Sequence, residues 1–333
     1  MAPRVREREG AMTDLLEAFR AGEPRALARA ISRCEAGRGA ELIRALYPLT
    51  GRALTVGLTG PPGVGKSTIS GALVTHLRAL GKTVGVISVD PSSPFSHGAL
   101  LGDRIRLAEH FVDPGVFIRS MASRGHLGGV AGATADAASL MDAFGLDVVL
   151  IETVGVGQSE IEIAEIADTT VVALQPGSGD SVQVLKAGVL EIADVFVVNK
   201  SDHPMALQLQ REIRSMMEML DYAGWVPALV STQALTGKGI DALWNAILAH
   251  DAWLRESGQL RAKRRDAFAH RVRQLAMGTL EERVEGAIVG LDDALDPYAA
   301  AETVVASFGI HDGVHATGNV RTANVVRATV KGL

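Results

Sequence analysis

Cysteine is almost missing from this chain: Cys34 is the single one among 333 residues. One thiol can form neither an internal disulfide nor a multi-cysteine zinc site, and a reducing, cytoplasmic compartment is the expectation. Aromatic residues are scarce, 4% of the chain, which argues against stacking platforms for single-stranded nucleic acid. Basic residues do not dominate either. The formal charge is −5 and the isoelectric point is near 6.0, so a general nucleic-acid binder is disfavoured. No apolar run approaches the roughly 18 residues of a membrane helix, and no membrane partner is expected. The first ten residues, MAPRVREREG, lack the apolar segment of a secretory signal and carry glutamates that a transit peptide avoids. They read as a disordered extension ahead of Met12, the alternative being a short ordered arm. The chain shows no internal repeat and no low-complexity tract.

Apolar residues are abundant, 47%, enough for a large core at this length. Their spacing divides the chain into an N-terminal helical extension over 1–50, a central domain over 51–250 and a C-terminal helical region over 251–333. Leu15, Leu16 and Phe19, then Leu27 and Ile31, then Leu42 and Leu46 recur at helical intervals, with a break at Gly37-Arg38-Gly39. From residue 54 the pattern changes to short β-branched runs, each followed by a longer helical stretch. Strands are predicted at 54–59, 84–89, 116–119, 147–152, 170–174, 195–198 and 228–231. Near-continuous apolar runs without alternation belong to parallel strands covered on both faces. The fold class is therefore α/β: a doubly wound, mostly parallel sheet, flanked by N- and C-terminal helical extensions. Helix 204–221 is predicted to turn Leu209, Ile213, Met216, Met217 and Leu220 inward. The basic stretch Arg261, Lys263, Arg264, Arg265 reads as a solvated face.

In such sheets ligands sit beyond the carboxyl ends of the strands, and the motifs fall there. Gly60-Pro61-Pro62-Gly63-Val64-Gly65-Lys66-Ser67 matches G-x-x-x-x-G-K-[ST] at every defined position, between the strand LTVGLT and a helix. Its backbone amides would close around phosphate oxygens, with Thr68 in the first helical turn. Lys66 would reach the β- and γ-phosphates, and the Ser67 hydroxyl would bind Mg²⁺. Asn199-Lys200-Ser201-Asp202 follows the strand VFVV. A carboxylate at Asp202 would accept from the guanine N1–H and the exocyclic amine together, where adenine offers the wrong pattern. One strand–helix unit later, Gln233-Ala234-Leu235 lies where a second base loop is expected, and spacing back from Gly239 assigns the Ala234 amide to the guanine carbonyl oxygen. These elements make GTP and GDP, rather than ATP, the expected nucleotides.

Asp90, in VISVDPSSP, and Glu152, in DVVLIETVGVGQSE, close two further strands. Hard carboxylate oxygens suit Mg²⁺. Asp103, in LLGDRIRL, is either a third metal candidate or a helix cap. Glu152 is expected on Mg²⁺ or its water, and the Gly155 amide on the γ-phosphate. Val156 stands where many GTPases carry a water-orienting glutamine, and Gln158 is displaced by two residues, so intrinsic hydrolysis is expected to be slow and to rise with a partner.

GLTGPPGVGKST, VDPSSP, LLGDRIRLA, GHLGGV, DVVLIETVGVGQSE, ADVFVVNKSD and TGKGIDALW together resemble the MeaB/ArgK-type P-loop GTPases, the family of the mitochondrial methylmalonic aciduria type A protein, over about residues 12–260. The resemblance implies a GTP-hydrolysing chaperone that gates adenosylcobalamin loading and protects an acyl-CoA mutase such as methylmalonyl-CoA mutase. It also implies a homodimer joined partly through terminal helices. It further implies a third switch segment at 179–186, where Asp180, Gln183 and Lys186 signal to the mutase or complete the GTPase site; Lys186 read by itself is equally a solvated helix charge. GHLGGV carries His126 where other members often have a small hydroxyl residue. An older label of the family, a lysine/arginine/ornithine transport ATPase, conflicts with NKSD. Gly313-Val314-His315-Ala316-Thr317-Gly318 imitates a D-x-H-x-x-G cobalamin signature, but the aspartate is absent and the domain that must follow is too short. The alternative function is a metal-insertion (nickel-type) maturation GTPase of the same group; an ATP-using small-molecule kinase is more remote.

Overall fold

The computed structural model describes residues 3–91, 107, 109–123, 129–153, 159–177, 189–222, 224–291 and 295–308. The chain divides into a unit ending at Leu275 and a second unit from Ala276 onward. In the first unit seven strands form one sheet: β1 Leu54–Thr59, β2 Val84–Pro91, β3 Val116–Ser123, β4 Val148–Thr153, β5 Thr169–Leu174, β6 Val195–Val198 and β7 Ala228–Ser231. All pairings are parallel, in the order β3-β2-β4-β1-β5-β6-β7. The expected α/β class holds, and each predicted strand is present within a few residues of its expected bounds. β2 and β3 run further than predicted, to Pro91 and Ser123, because they pair with each other to their ends.

The helices are α1 Pro3–Arg20, α2 Pro24–Glu35, α3 Ala40–Leu46, α4 Lys66–Ala79, α5 Gly129–Phe144, α6 Ser159–Ile166, α7 Val189–Ile192, α8 Ala206–Met217, α9 Ile240–Glu256, α10 Gln259–Ile288 and α11 Pro297–Ser307. Two expectations are corrected here. The residues before Met12 continue α1 from Pro3 rather than forming a disordered extension. The 12–46 stretch also breaks a second time, at Ala21-Gly22-Glu23, where Pro24 at the first turn of α2 fixes the new start.

Both sheet faces are covered, which is why the strands read as unbroken apolar runs. On β4, Val149 and Ile151 face a core with Leu27, Ile31, Phe19 and Met141 of the N-terminal helices and α5. Val148 and Leu150 face the other core, with Ile69, Leu73 and Leu77 of α4 and Leu243 and Ile247 of α9. Phe19 meets Phe144 edge to face at 5.2 Å, joining the N-terminal helices to α5. Full burial of one such aliphatic side chain is worth about 1.5–3 kcal/mol. Leu209 and Ile213 of α8 are buried with Phe196 and Val198, while Met216 and Met217 pack only partly against them.

The amino ends of the strands are tied by aspartates. Asp147 accepts from the Thr83 amide at 2.8 Å, Asp168 from the Thr55 amide at 3.0 Å and Asp194 from the Thr170 amide at 2.8 Å. Lys263 donates to the Asp168 carbonyl and to the Asp194 carboxylate. Arg264 grips both oxygens of Asp168 at 2.8 Å and also donates to the carbonyls of Gly51 and Ala53. The expected solvated basic face is thus corrected for these two residues, which lock α10 to the sheet; Arg261 and Arg265 are exposed, as expected. In the second unit α11 is capped by Asp296, whose Oδ1 accepts from the Tyr298 and Ala299 amides. The GVHATG stretch and the rest of the tail lie outside the described residues.

Candidate nucleotide site

The site is built at the carboxyl edge of the sheet, where β1 lies between β4 and β5 and the chain winds away on either side. The loop from Gly60 to Gly65 leaves β1 and enters α4. Gly60 has φ 138°, and a Cβ there would stand 2.1 Å from the Ala173 carbonyl oxygen of β5. Gly65 caps α4 with φ 93°, and a Cβ there would lie 2.7 Å from Asn199 Nδ2. The loop therefore hugs two other strands' ends, and glycine is what lets it do so. No side chain caps α4, which leaves its first-turn amides to serve an anion. Lys66 is buried and donates from Nζ to the Gly60 carbonyl at 2.7 Å and to the Pro61 carbonyl at 3.1 Å. Its ammonium is held inside the loop curve, where phosphate charge would be met.

Glu152, at the end of β4, is buried. Its Oε1 accepts from Ser67 Oγ at 2.5 Å and its Oε2 from Ser70 Oγ at 3.1 Å. Thr153 Oγ1 donates to Thr59 Oγ1 at 3.0 Å, joining the last residues of β4 and β1. Asp90 lies on the adjacent strand, two residues past Ser88, the register partner of Glu152. Two of the four metal candidates, Ser67 and Glu152, are therefore in direct contact, and Asp90 is placed by its backbone at the same sheet edge. Asp103, Gly155 and Lys186 lie outside the described residues, as do Val156, Gln158, Asp180, Gln183 and His126.

The base-reading loop follows β6 and closes on the P-loop. Asn199, 3% exposed, donates from Nδ2 to the Val64 carbonyl at 2.9 Å. Its Oδ1 accepts from Thr232 Oγ1 and from the Ala234 amide, both at 3.1 Å. Lys200 is held at φ 54°, a left-handed conformation rare for a residue with a side chain. Its Nζ donates to the Gly63 carbonyl at 3.0 Å and to Gln175 Oε1 at 2.6 Å. Asp202 is exposed. The second base loop is shaped by a bridge between Gln233 and Lys238 and by Gly239, whose Cβ would meet the Ser231 carbonyl at 2.2 Å. The Ala234 amide, assigned from the sequence to the guanine carbonyl oxygen, is engaged by Asn199. A cavity of about 660 Å³ opens between α4 and this loop, lined by Ser67, Thr68, Ala72, Ala234, Leu235 and Ile240.

Two contributors were not singled out by sequence: Ser70 and Gln175. Each acts through another site residue, and neither belongs to a motif. Ser70 carries a weak signal, since it lies three residues after Ser67 and so on the same side of α4.

A Pyrococcus horikoshii protein with a GTPase name is 46% identical over 306 residues, 88% of this chain and 96% of that protein. The mouse methylmalonic aciduria type A homolog, named as mitochondrial, is 40% identical over 222 residues, 65% of this chain and 53% of the mouse protein. Among solved structures, one described as an LAO/AO transport system kinase has 27% identity and a TM-score of 0.67, covering 90% of this chain and 98% of its own. The family model described as methylmalonyl-CoA mutase-associated GTPase MeaB matches residues 27–288. With that match spanning most of the chain, and with the Asn199 loop seated against a P-loop, the chain belongs to the MeaB family of GTPases.

Proposed function

We propose that this chain binds GTP and GDP with Mg²⁺ and hydrolyses GTP as the switch of a chaperone for an adenosylcobalamin-dependent acyl-CoA mutase such as methylmalonyl-CoA mutase. The observation that carries the nucleotide part is the Asn199 side chain, which bridges the Val64 carbonyl and the Ala234 amide and so holds the base reader at a fixed distance from the phosphate cradle. The mutase part is supported by the family match.

Main-chain amides of 60–67 and the first turn of α4 bind the phosphates, and Lys66 leaves its carbonyl partners for the β- and γ-oxygens. Asp202 reads the guanine N1–H and amine. The guanine carbonyl oxygen competes with Asn199 for the Ala234 amide, beside Gln233 and Leu235. The Ser67 hydroxyl and the Glu152 carboxylate are hard oxygens in direct contact, a donor set that fits Mg²⁺; Asp90 and Asp103 complete the candidates. When bound, the ion would neutralise charge developing on the phosphoryl oxygens. Gly155 meets the γ-phosphate, and Lys186 is the further catalytic candidate. Val156 cannot orient water as the glutamine of many GTPases does, so turnover is slow alone and rises when a partner orders the site.

The homodimer is formed through the C-terminal helices. Phe268, Val272 and Leu275 recur at i, i+4 and i+7 on α10 and are each about half exposed (51%, 47% and 55%), a stripe suited to a second copy. No helix among the described residues is long and apolar enough to cross a membrane, and the single cysteine supports a cytoplasmic setting. The test is GTP turnover with and without purified methylmalonyl-CoA mutase, with ATP as the competing nucleotide. Stimulation by the mutase and tighter binding of GTP than ATP are expected. No stimulation by any such mutase would remove the chaperone reading, and tighter ATP binding would remove the guanine one.

A further inference from the structure

We infer that Ser70 is a positioning residue for the metal-binding carboxylate of Glu152; the inference rests on the magnesium–nucleotide reading above. Ser70 is 1% exposed in the interior of α4. A hydroxyl inside a helix commonly turns back to the carbonyl four residues earlier, and Thr75 on the same helix does so, donating to the Gly71 carbonyl at 3.1 Å. Ser70 instead donates across to β4, to Glu152 Oε2 at 3.1 Å. Ser67, one turn earlier, donates to Glu152 Oε1 at 2.5 Å. One helix therefore holds both oxygens of one carboxylate.

That arrangement has a consequence for metal binding. The last torsion of a glutamate is broad and roughly two-fold, so a hydrogen bond to one oxygen does not by itself define the carboxylate plane. A second bond to the other oxygen fixes the plane, with Oε1 beside the hydroxyl that is the first metal candidate. Partners that orient a ligating carboxylate contribute typically 10–100-fold to metal affinity. Alanine is the better helix former at this position, so the hydroxyl is explained by its bond to the buried Glu152 carboxylate.

The experiment uses full-length S70A beside wild type. Mn²⁺ binding to the GDP complex is followed by electron paramagnetic resonance, GDP affinity is measured in excess chelator, and GTP turnover is titrated with Mg²⁺. The expected result is Mn²⁺ affinity weakened about tenfold, metal-free GDP affinity unchanged within about twofold, a modest fall in thermal midpoint from the unmatched Glu152 oxygen, and kcat restored at saturating Mg²⁺. A variant that binds Mn²⁺ as tightly as wild type overturns the inference. So does one that loses metal-free GDP affinity to the same extent, since that is the signature of a merely structural serine. Wild-type protein that binds GDP but adds nothing to Mn²⁺ retention would instead remove the metal site itself. Wild-type protein that binds no guanine nucleotide would remove the reading beneath it.

Discussion

Asn199 and Val64, 135 residues apart, are joined by a 2.9 Å hydrogen bond from the asparagine Nδ2 to the valine carbonyl. The same side chain accepts from the Ala234 amide, so one buried amide holds three loops together. Replacing it with alanine strands the Val64 carbonyl and the Ala234 amide in a buried position. Asn199→Ala is expected to destabilise the fold by about 1–3 kcal/mol, the cost of leaving buried polar groups unmatched. It is also expected to weaken GDP binding more than tenfold. Urea unfolding and fluorescent-nucleotide titration measure the two effects. Unchanged GDP affinity would mean that the base loop does not depend on this bridge.

Asp202 gives the complementary case, because it is exposed and its proposed role is selectivity rather than stability. Asp202→Asn replaces one acceptor oxygen with a donor. The guanine amine then meets a donor and is left unmatched, while xanthine, with a carbonyl at that position, is matched. A loss of about 10–100-fold in GTP affinity is expected, with a gain for XTP and no change in thermal midpoint; each unmatched polar group costs about 1–3 kcal/mol. Competition of XTP and GTP against a fluorescent nucleotide decides it. Equal preference in wild type and variant would show that another group reads the base.

What could be read from sequence follows a physical divide. The seven strands were legible because a parallel sheet covered on both faces writes itself as short β-branched runs, and the cores above Val149 and below Val148 account for those runs. The P-loop and NKSD were legible as motifs because phosphate and guanine recognition demand fixed residue types at fixed spacing, and the structure seats the two loops against each other. The supporting contacts were not legible. Lys200 meets Gln175, and Arg264 meets Asp168, 96 residues earlier; no local pattern records such a partner. A run of arginine and lysine on an amphipathic helix looks the same whether its charges meet water or a buried carboxylate. The Ala234 amide shows the same limit, since spacing located the loop but not the competing acceptor Asn199 Oδ1.

The Arg264–Asp168 clamp is testable as a stability element. Asp168 is almost fully buried, with its side chain 5% exposed, and Arg264 is 30% exposed. A hydrogen bond to Asp168 and burial act against each other on the guanidinium, and the hydrogen bond dominates, raising its pKa further. Arg264→Ala leaves a buried carboxylate without its fork, together with the Gly51 and Ala53 carbonyls. A loss of about 2–3 kcal/mol is expected, toward the lower end of the cost of breaking a buried pair because the arginine is partly solvated. Arg264→Lys keeps the charge but not the two parallel bonds and is expected to recover only part of the loss. Denaturant midpoints of the three proteins give the comparison, and a wild-type midpoint in R264A would show that α10 is held by other contacts.

His250 gives a testable pH dependence at the same end of the sheet. It is 1% exposed, with Nδ1 2.9 Å from Thr169 Oγ1, Nε2 3.3 Å from Asp194 Oδ1, and the Trp253 ring stacked on it at 5.8 Å. Burial pushes its pKa below the ordinary value, outweighing the pull of Asp194, while Lys263 adds to the lowering and Asp251 and Asp168 oppose it. The native imidazole therefore stays neutral at a pH where the unfolded chain has already taken up a proton. Between the two pKa values the unfolded state binds more protons, so stability is complete above about pH 6.5 and declines as the pH falls below it. His250→Gln keeps a neutral side chain that can both donate and accept, and it removes the titration. Urea midpoints from about pH 7.5 to about pH 5 are expected to fall more steeply for wild type than for the variant, because only wild type carries this proton linkage. Parallel decline in both proteins would assign the acid sensitivity to the carboxylates and leave the imidazole no part in it.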